Sequence, residues 1–277
     1  MDIRHPVHPD HGKALDTEGL RAQFLVASLF STGSIELVYS HFDRIIVGGA
    51  VPTSTPLALD VDKAVIGSDH LLDARELGVL NLGGEGTVVV DGKDYPLGRL
   101  DALYVGRGTR SVTFSSRSAA SPARFYLLSA VAHRELPTTL IGRNAAKKVV
   151  AGGAEECNRR TIFQVIHPDV VKSCNLTMGY TRLEPASVWN TMPCHLHPRR
   201  IEVYFYFDVP ESAVVFHLMG IPGETRHIVV RNEQGVISPS WSLHSGVGTA
   251  SYSFVWAMAG ENQTFTDMDA VPMDALR

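Results

Sequence analysis

Short runs of β-branched and aromatic residues, broken by Gly, Pro, Asp and Ser, recur along almost the whole chain and constrain its fold more than any other feature. The earlier runs are SIELVYS, RIIVGGAVP, KAVIGS, GTVVVDG, ALYVGRG, SVTFSS and RFYLLSAVA. The later runs are TIFQVIH, NLTMGYTRL, EVYFYFDV, AVVFHLM, RHIVVRN and YSFVWAMA. Because helices and strands do not alternate as a parallel α/β sheet requires, the sequence predicts an all-β fold.

The segment 142–160 separates these runs into two groups. Its sequence, GRNAAKKVVAGGAEECNRR, is polar and rich in Gly and Ala, which is typical of a connector. We therefore predict two all-β halves, each a sandwich or a barrel, over residues 1–145 and 146–277.

One early segment has the pattern of a helix. Asp16 or Thr17 can cap its first turn. Apolar residues then follow at helical spacing, namely Leu20, Phe24, Leu25 and Leu29. The sequence thus predicts a short N-terminal helix ahead of the β structure.

The stretch TMPCHLHPRRIEVYF carries two histidines and a glutamate at the spacing of metal ligands. His195 and His197 are two residues apart, so on a strand both side chains point to the same face. The Pro-Arg-Arg that follows can turn the chain and bring Glu202 to the same ion from the next strand. Cys194 points to the opposite face, and we expect it to be a small packed residue rather than a thiolate ligand.

The stretch SPSWSLHSGVG supplies a fourth ligand, His244, five residues after Pro239. The complete pattern, H-x-H-x4-E followed by P-x4-H, is the ligand spacing of the cupin barrels. Three imidazoles and one carboxylate suit Zn²⁺, Fe²⁺, Mn²⁺ or Ni²⁺ and leave positions for water or substrate. An H-x-H pair alone can be a chance feature of a surface strand, but two further ligands in register predict a metal site.

The first half carries a related pattern without the histidines. Glu76 precedes Gly83 as in the cupin E-x6-G. Projecting the ligand spacing of the second half onto the first places Asp69, Leu71 and Ser111 where the histidines would stand. Leucine and serine cannot replace imidazoles, so we predict an internal repeat whose first copy holds no metal.

Composition argues against several classes of protein. The formal net charge of −4 argues against a nucleic-acid partner, and no apolar run has the length of a membrane span. The first residues lack the apolar core of a signal peptide, so we expect no leader. Three widely spaced cysteines without a CxxC pair suit a reducing cytoplasm. Neither a P-loop nor a G-x-S-x-G nucleophile elbow is present.

Five stretches together resemble one family. VWNTMPCHLHPRRIEVYFYFD and SPSWSLHSGVGT resemble the two metal-bearing segments of the 5-keto-4-deoxyuronate isomerases, also called 4-deoxy-L-threo-5-hexosulose-uronate ketol-isomerases. DTEGLRAQFL, YSHFDRIIVGGAVP and NRRTIFQVIHP resemble other characteristic stretches of that family. The resemblance therefore extends over nearly the whole chain.

This resemblance implies a bicupin, that is, two cupin-type β-barrels in tandem. It implies one Zn²⁺ per chain in the second barrel, held by His195, His197, Glu202 and His244. The implied reaction interconverts 5-dehydro-4-deoxy-D-glucuronate and 3-deoxy-D-glycero-2,5-hexodiulosonate during pectin and uronate breakdown. It also implies a cytoplasmic homohexamer whose partner is a small uronate-derived substrate, with no nucleic acid and no membrane.

The implied reaction needs a cation for the substrate carboxylate and a general base. The planar fork of arginine suits a carboxylate. The candidate residues for the carboxylate are Arg182, Arg199 and Arg200. The candidate bases, upstream of the metal site, are Glu184, Tyr180 and Lys172.

Two other functions remain open at the level of the residues. An Fe(II)-dependent cupin dioxygenase would use the same three histidines and glutamate, because open metal positions also suit O₂ chemistry. A cupin that only binds a sugar acid is the non-catalytic alternative. Metal analysis and oxygen uptake distinguish the dioxygenase from the isomerase, and turnover distinguishes both from a binding protein.

Overall fold

The computed structural model describes all 277 residues, which form 23 strands, three short α-helices and two 3-10 helices. The chain divides into two compact units, and the predicted all-β fold is confirmed. The first unit comprises Met1–Arg4, Ser28–Lys147 and Val165–Thr177. The second unit comprises His5–Ala27, Lys148–Gln164 and Met178–Arg277.

The first unit is built on a seven-stranded and a four-stranded sheet. The order in the larger sheet is β1 (Asp2–Arg4), β3 (Ile35–Ser40), β4 (Ile46–Ala50), β11 (Phe125–Val131), β6 (Arg75–Asn81), β9 (Ala102–Val105) and β12 (Thr139–Ile141). The order in the smaller sheet is β5 (Leu57–Ala58), β10 (Val112–Ser116), β7 (Gly86–Val90) and β8 (Lys93–Leu97). One buried apolar cluster takes residues from both sheets, including Val79 and Leu103 from the larger and Val88 and Phe114 from the smaller.

The second unit is built on a seven-stranded and a five-stranded sheet. The order in the larger sheet is β13 (Lys147–Ala151), β14 (Arg160–Ile166), β15 (Thr177–Leu183), β22 (Ser253–Gly260), β17 (Arg200–Phe207), β20 (Gln234–Ser238) and β2 (Leu25–Val26). The order in the smaller sheet is β19 (Glu224–Val230), β18 (Val215–Ile221), β21 (His244–Gly248), β16 (Trp189–Leu196) and β23 (Asp269–Ala270). The order β14-β15-β22-β17-β20 repeats the order β3-β4-β11-β6-β9 of the first unit, as an internal repeat requires.

The N-terminal helix predicted from the sequence is α2 (Thr17–Phe24), which follows α1 (Pro9–Gly12). Asp16 caps it, since the side-chain Oδ1 accepts a hydrogen bond of 2.8 Å from the backbone N–H of Gly19. The helix ends at Phe24 because the next two residues pair with β20 as strand β2. None of the helices has the length and hydrophobicity that a membrane crossing requires.

The run KAVIGS is a helix and not the strand that its β-branched residues predict. It forms α3 (Lys63–Ile66). Asp62 caps the helix by accepting a hydrogen bond of 2.8 Å from the N–H of Ala64, and Gly67 ends it with a left-handed φ of 75°. Local capping at both ends therefore overrides the intrinsic preference of a short run. The two 3-10 helices are Leu71–Asp73 and Met273–Ala275.

The two units differ from the predicted division into residues 1–145 and 146–277 in two places. The first is the segment 5–27, which belongs to the second unit. In that unit β2 pairs with β20, and the ring of Phe24 packs edge-on against Trp241 at a centroid distance of 6.1 Å. These contacts join residues more than 200 positions apart, so no local pattern indicates them.

The second difference is the segment 165–177, which belongs to the first unit. The fully buried carboxylate of Glu76 accepts hydrogen bonds of 2.7 Å from the backbone N–H groups of Cys174, Asn175 and Leu176. It also accepts one of 2.7 Å from the hydroxyl of Tyr104. The glutamate that the repeat places at a ligand position is therefore used here to hold a loop.

Candidate metal centre and adjoining cavity

Three strands of the second unit bring the four predicted metal ligands together. β16 carries His195, and His197 follows the last residue of that strand. His244 begins β21 directly opposite His195 in the antiparallel pairing of the two strands. Glu202 lies on β17, after a turn in which the N–H of Arg200 donates to the carbonyl of His197 at 3.0 Å.

The ligand atoms of these four side chains face one another at short separations. Nε2 of His195 is 3.0 Å from Nε2 of His197 and 3.1 Å from Nε2 of His244. Oε2 of Glu202 is 3.1 Å from Nε2 of His197 and 2.9 Å from Nε2 of His244. Ligands bound about 2.1 Å from one ion lie about 3 Å apart when the angle between them is near a right angle. The cluster therefore has the dimensions of a site for a single metal ion.

Charge and hydrogen bonding leave these atoms available as ligands. Burial and the neighbouring His244 and His197 lower the pKa of His195 to about 2, so its ring is neutral at ordinary pH. Nδ1 of His197 lies 3.0 Å from the carbonyl oxygen of Asp267, and donation to that oxygen leaves a lone pair on Nε2. Oε2 of Glu202 is buried, and the polar atoms that face it are Nε2 of His197 and Nε2 of His244. A cation between this oxygen and the imidazole nitrogens satisfies all of them, so the donor set fits a divalent metal.

Cys194, next to the first ligand, faces away from the cluster. It is 1% exposed and packs with Leu243 and Val271 in a small apolar core. Burial raises the pKa of its thiol. Cys194 is thus a packed residue, as its position on the strand predicts.

The two arginines of the turn between β16 and β17 contact the segment around Asp267. Arg199 forms an ion pair with the Asp267 carboxylate, in which Nε donates to Oδ1 at 2.9 Å and to Oδ2 at 2.8 Å. Arg200 is 1% exposed, and its Nη2 donates to the Asp267 carbonyl at 2.8 Å. The carbonyl that orients His197 is therefore fixed by a buried guanidinium.

A cavity of about 260 Å³ adjoins the ligand cluster. Its polar lining includes His195, His197 and Glu202 together with Tyr204 and Thr191. Its apolar side is formed by Ile162, Phe254, Trp256, Met258, Phe265 and Met268. The volume is near the lower end of the range for small-molecule sites, roughly 300 Å³, so the cavity suits a ligand of sugar size.

An irregularity in β16 shapes this cavity. The pairing of β16 with β21 loses its register between Asn190 and His195, and Thr191, Met192 and Pro193 line the cavity there. Thr191 has a left-handed φ of 51°, which is unfavourable for a β-branched residue. Functional sites often retain such strain, and here it accompanies a hydroxyl directed at the cavity.

Tyr204 is a site residue that sequence reasoning missed. Its hydroxyl is 3.1 Å from the hydroxyl of Thr191, and its ring stacks on Phe254 at 5.1 Å. Burial, with Glu202 nearby, raises the pKa of Tyr204 well above its usual value, so the hydroxyl stays protonated. The available signal was its position two residues after Glu202 on one strand, which places both side chains on the same face.

The residues predicted for the carboxylate and for the general base lie outside the lining of the cavity. On β15 it is Thr181 that lines the cavity, and because side chains alternate along a strand, Tyr180 and Arg182 face the other side. Tyr180 is buried in an aromatic stack, whereas Arg182 and Glu184 line a separate surface depression. Arg199 and Arg200 contact Asp267 as described above, and Lys172 is exposed in a loop of the first unit. Other residues of the cavity are therefore better placed for both roles.

Comparison with known proteins identifies the family. A model of the KduI/IolB family matches residues 24–273. A protein of Caldicellulosiruptor bescii named 4-deoxy-L-threo-5-hexosulose-uronate ketol-isomerase is 54% identical over 277 residues, covering 100% of both chains. The chain belongs to the KduI/IolB family. Other relatives with the same name are 51–54% identical over the full length of this chain.

Solved structures agree with the bicupin fold of this KduI/IolB chain. The crystal structure of an IolB-like protein from Salmonella typhimurium has a TM-score of 0.72 at 14% identity and covers 90% of this chain and 97% of its own. Oxalate decarboxylase from Lactobacillus farciminis has a TM-score of 0.61 at 9% identity and covers 91% and 89%, respectively. The bicupin fold and the ketol-isomerase family predicted from the sequence are both confirmed, and the chain is an isomerase.

His217, close to the ligand cluster, gives this KduI/IolB chain a predictable sensitivity to acid. Burial and the nearby His244 lower the pKa of His217 from 6.5 to about 3, and its Nε2 has no hydrogen-bond partner. The unfolded chain binds this proton below pH 6.5 whereas the folded chain does not, so stability from this group is present above pH 6.5 and is lost as the pH falls toward 3. Between pH 7 and pH 5 the loss should be about 2 kcal/mol.

The His217→Gln variant should lack this acid-sensitive component, and glutamine can still accept the hydrogen bond of the Tyr206 hydroxyl, which is 2.8 Å from Nδ1 of His217. Urea unfolding at pH 7 and pH 5 measures how much unfolding free energy each protein loses between the two pH values. His227→Gln, at an exposed position of β19, is the matched control and should lose as much unfolding free energy between pH 7 and pH 5 as the wild type. If His217→Gln loses as much unfolding free energy as the wild type between pH 7 and pH 5, the acid sensitivity comes from other groups.

Proposed function

We propose that the chain interconverts 5-dehydro-4-deoxy-D-glucuronate and 3-deoxy-D-glycero-2,5-hexodiulosonate, with one Zn²⁺ held by His195, His197, Glu202 and His244. The observation that carries the proposal is the convergence of these four ligands beside a cavity of sugar size. The substrate is that in the name of relatives 51–54% identical over the full length of this chain. When bound, the ion supplies a Lewis acid for the adjacent carbonyl and hydroxyl oxygens of such a sugar.

The residues around the ligands have separate roles in this reaction. The aromatic and methionine side chains of the cavity exclude water from the reacting carbons. The hydroxyl of Tyr204 donates a hydrogen bond to the substrate oxygen on which negative charge develops, because its raised pKa keeps the proton on the phenol. Thr191 orients that hydroxyl through the contact of 3.1 Å.

Zinc is the metal of the proposal because it binds imidazoles well and has no redox chemistry. The reaction moves hydrogen within one molecule and needs no oxygen, nicotinamide or other organic cofactor. The cytoplasm is the proposed compartment, which the free thiols of Cys157, Cys174 and Cys194 support. A homohexamer, as implied by the family resemblance, completes the proposal.

Anaerobic NMR tests this proposal directly. The zinc-loaded protein is mixed with the 4-deoxy-5-keto uronate formed from the unsaturated product of a pectin lyase. We expect the signals of the aldehyde end to be replaced by those of a terminal hydroxymethyl group next to a ketone. A chelator should stop the conversion, and added Zn²⁺ should restore it.

Two outcomes of this experiment would contradict the proposal. Oxygen consumption with the same substrate, without anaerobic conversion, would identify a dioxygenase. Saturable binding without any conversion would identify a protein that only binds the sugar acid.

A further inference from the structure

Arg160 provides a cation in the cavity that the metal centre does not use. It lines the cavity together with His195, His197 and Glu202, and it is the only lysine or arginine among the lining residues. We propose that Arg160 holds the carboxylate of the sugar-acid substrate and thereby sets the preference of the enzyme for an acid over a neutral sugar. This inference rests on the proposed function and adds a specificity-determining residue to it.

Arg160 is held in place by a chain of hydrogen bonds that leads to the irregular part of β16. Its Nη1 donates to the carbonyl of Asn158 at 2.8 Å. Asn158 is 7% exposed, accepts from the N–H of Gly153 at 2.9 Å and donates to the carbonyl of Met192 at 3.1 Å. The guanidinium is thus tethered through one nitrogen, while Nε and Nη2 remain for a bidentate contact with a carboxylate.

The charge of Arg160 is not balanced by a carboxylate of the protein. The contacts of its guanidinium include no Asp or Glu, and the only acidic residue that lines the cavity is the metal-ligand candidate Glu202. Burial lowers the pKa of Arg160, an effect partly opposed by Tyr204 and Tyr252. A half-buried guanidinium without a counter-ion is stabilised by an anionic ligand.

The other arginines considered for this role are occupied or face elsewhere. Arg199 forms an ion pair with Asp267, and Arg200, whose Nη2 donates to the carbonyl of Asp267, does not line the cavity. Arg182 lies in a surface depression with Glu184. Arg160 is the arginine that shares one cavity with the metal ligands, so one substrate can contact both.

The Arg160→Gln variant tests the assignment when the uronate and its methyl ester are compared. We expect kcat/KM for the acid to fall about 10- to 100-fold, the usual effect of losing a charge-assisted hydrogen bond, whereas kcat/KM for the ester should change little. Arg160→Lys should recover part of the loss. Arg159→Gln, at an exposed neighbouring position, is the matched control and should behave as the wild type.

A measurement of binding affinity separates this inference from the proposed function. Trp256 lines the cavity, so quenching of tryptophan fluorescence can report binding of the acid and of the ester to the zinc-loaded protein. We expect Arg160→Gln to raise the Kd of the acid about 10- to 100-fold with unchanged zinc content. An equal loss for acid and ester, or no loss for either, would overturn the inference even in an active isomerase. A wild type that binds the acid through Arg160 but does not convert it would overturn only the proposed function.

Discussion

Replacing His244 by alanine should remove the bound metal and reduce ketol-isomerase activity at least about 10³-fold. His244 supplies one of the four candidate ligand atoms, and its Nε2 contacts both His195 and Glu202. A Lewis acid contributes several kcal/mol to such a reaction, and each 1.4 kcal/mol corresponds to about a factor of ten in rate. Metal content after dialysis and kcat/KM measure the two effects.

The fold should survive this substitution, because each sheet of the second unit is held together by backbone pairing between its strands, such as β17 with β22 and β18 with β21. Circular dichroism checks this point. His227→Ala, an exposed histidine of the same unit, is the control and should keep its metal and its activity. His197→Ala, which removes a second candidate ligand, should likewise lose the bound metal and the activity. Full metal content in both ligand variants would refute the assignment of the site.

The ligand cluster could be predicted from the sequence because three of its four residues lie close together in the chain. His195 and His197 lie two apart near the end of one strand, and Glu202 follows after one turn. Only His244 comes from a distant segment, and the spacing from Pro239 identifies it. Its position opposite His195 in the β16–β21 pairing explains why that spacing is informative.

The strands predicted from alternating apolar runs were mostly found, but some edge and irregular elements were not predicted. β13 lies within the segment 142–160, which resembles a connector in sequence because it is polar and rich in Gly and Ala. β8 contains Pro96, which weakens a strand pattern, and it lies at the edge of its sheet where a missing N–H is tolerated. The contacts of Glu76 with the segment 165–177 join residues about 100 positions apart, so no local pattern contains them.

Residues that line the cavity were harder to predict than the metal ligands because their roles depend on tertiary placement. Arg160 begins a strand next to a second arginine, and only the hydrogen bond to Asn158 and the position in the cavity distinguish it from its exposed neighbour. Tyr204 belongs to the aromatic run YFYF, and such a run is as typical of a buried core as of a cavity lining. Side chains alternate along a strand, so Tyr180 and Arg182 lie on the face opposite to Thr181. This excludes them from the cavity only once Thr181 is known to line it.

Replacing Tyr204 by phenylalanine should lower kcat about 10²-fold while leaving KM and zinc content nearly unchanged. The substitution removes only the hydroxyl, and the ring that stacks on Phe254 and lies 5.3 Å from His244 remains. Loss of one donor to a developing oxyanion usually costs about 10²–10³ in kcat. An interaction made mainly in the transition state affects kcat more than KM, so steady-state kinetics on the uronate distinguish it from a binding role.

Tyr206→Phe is the matched control for this prediction. Tyr206 lies two residues further along the same strand, but its hydroxyl contacts Nδ1 of His217 at 2.8 Å and it does not line the cavity. Its kcat should remain within a few-fold of the wild type, whereas Thr191→Val, which removes the partner of the Tyr204 hydroxyl, should lie between the two tyrosine variants. If Tyr204→Phe keeps the wild-type kcat, the phenol has no part in the reaction. If its activity falls only in proportion to lost zinc, Tyr204 acts through packing against His244 and not through its proton.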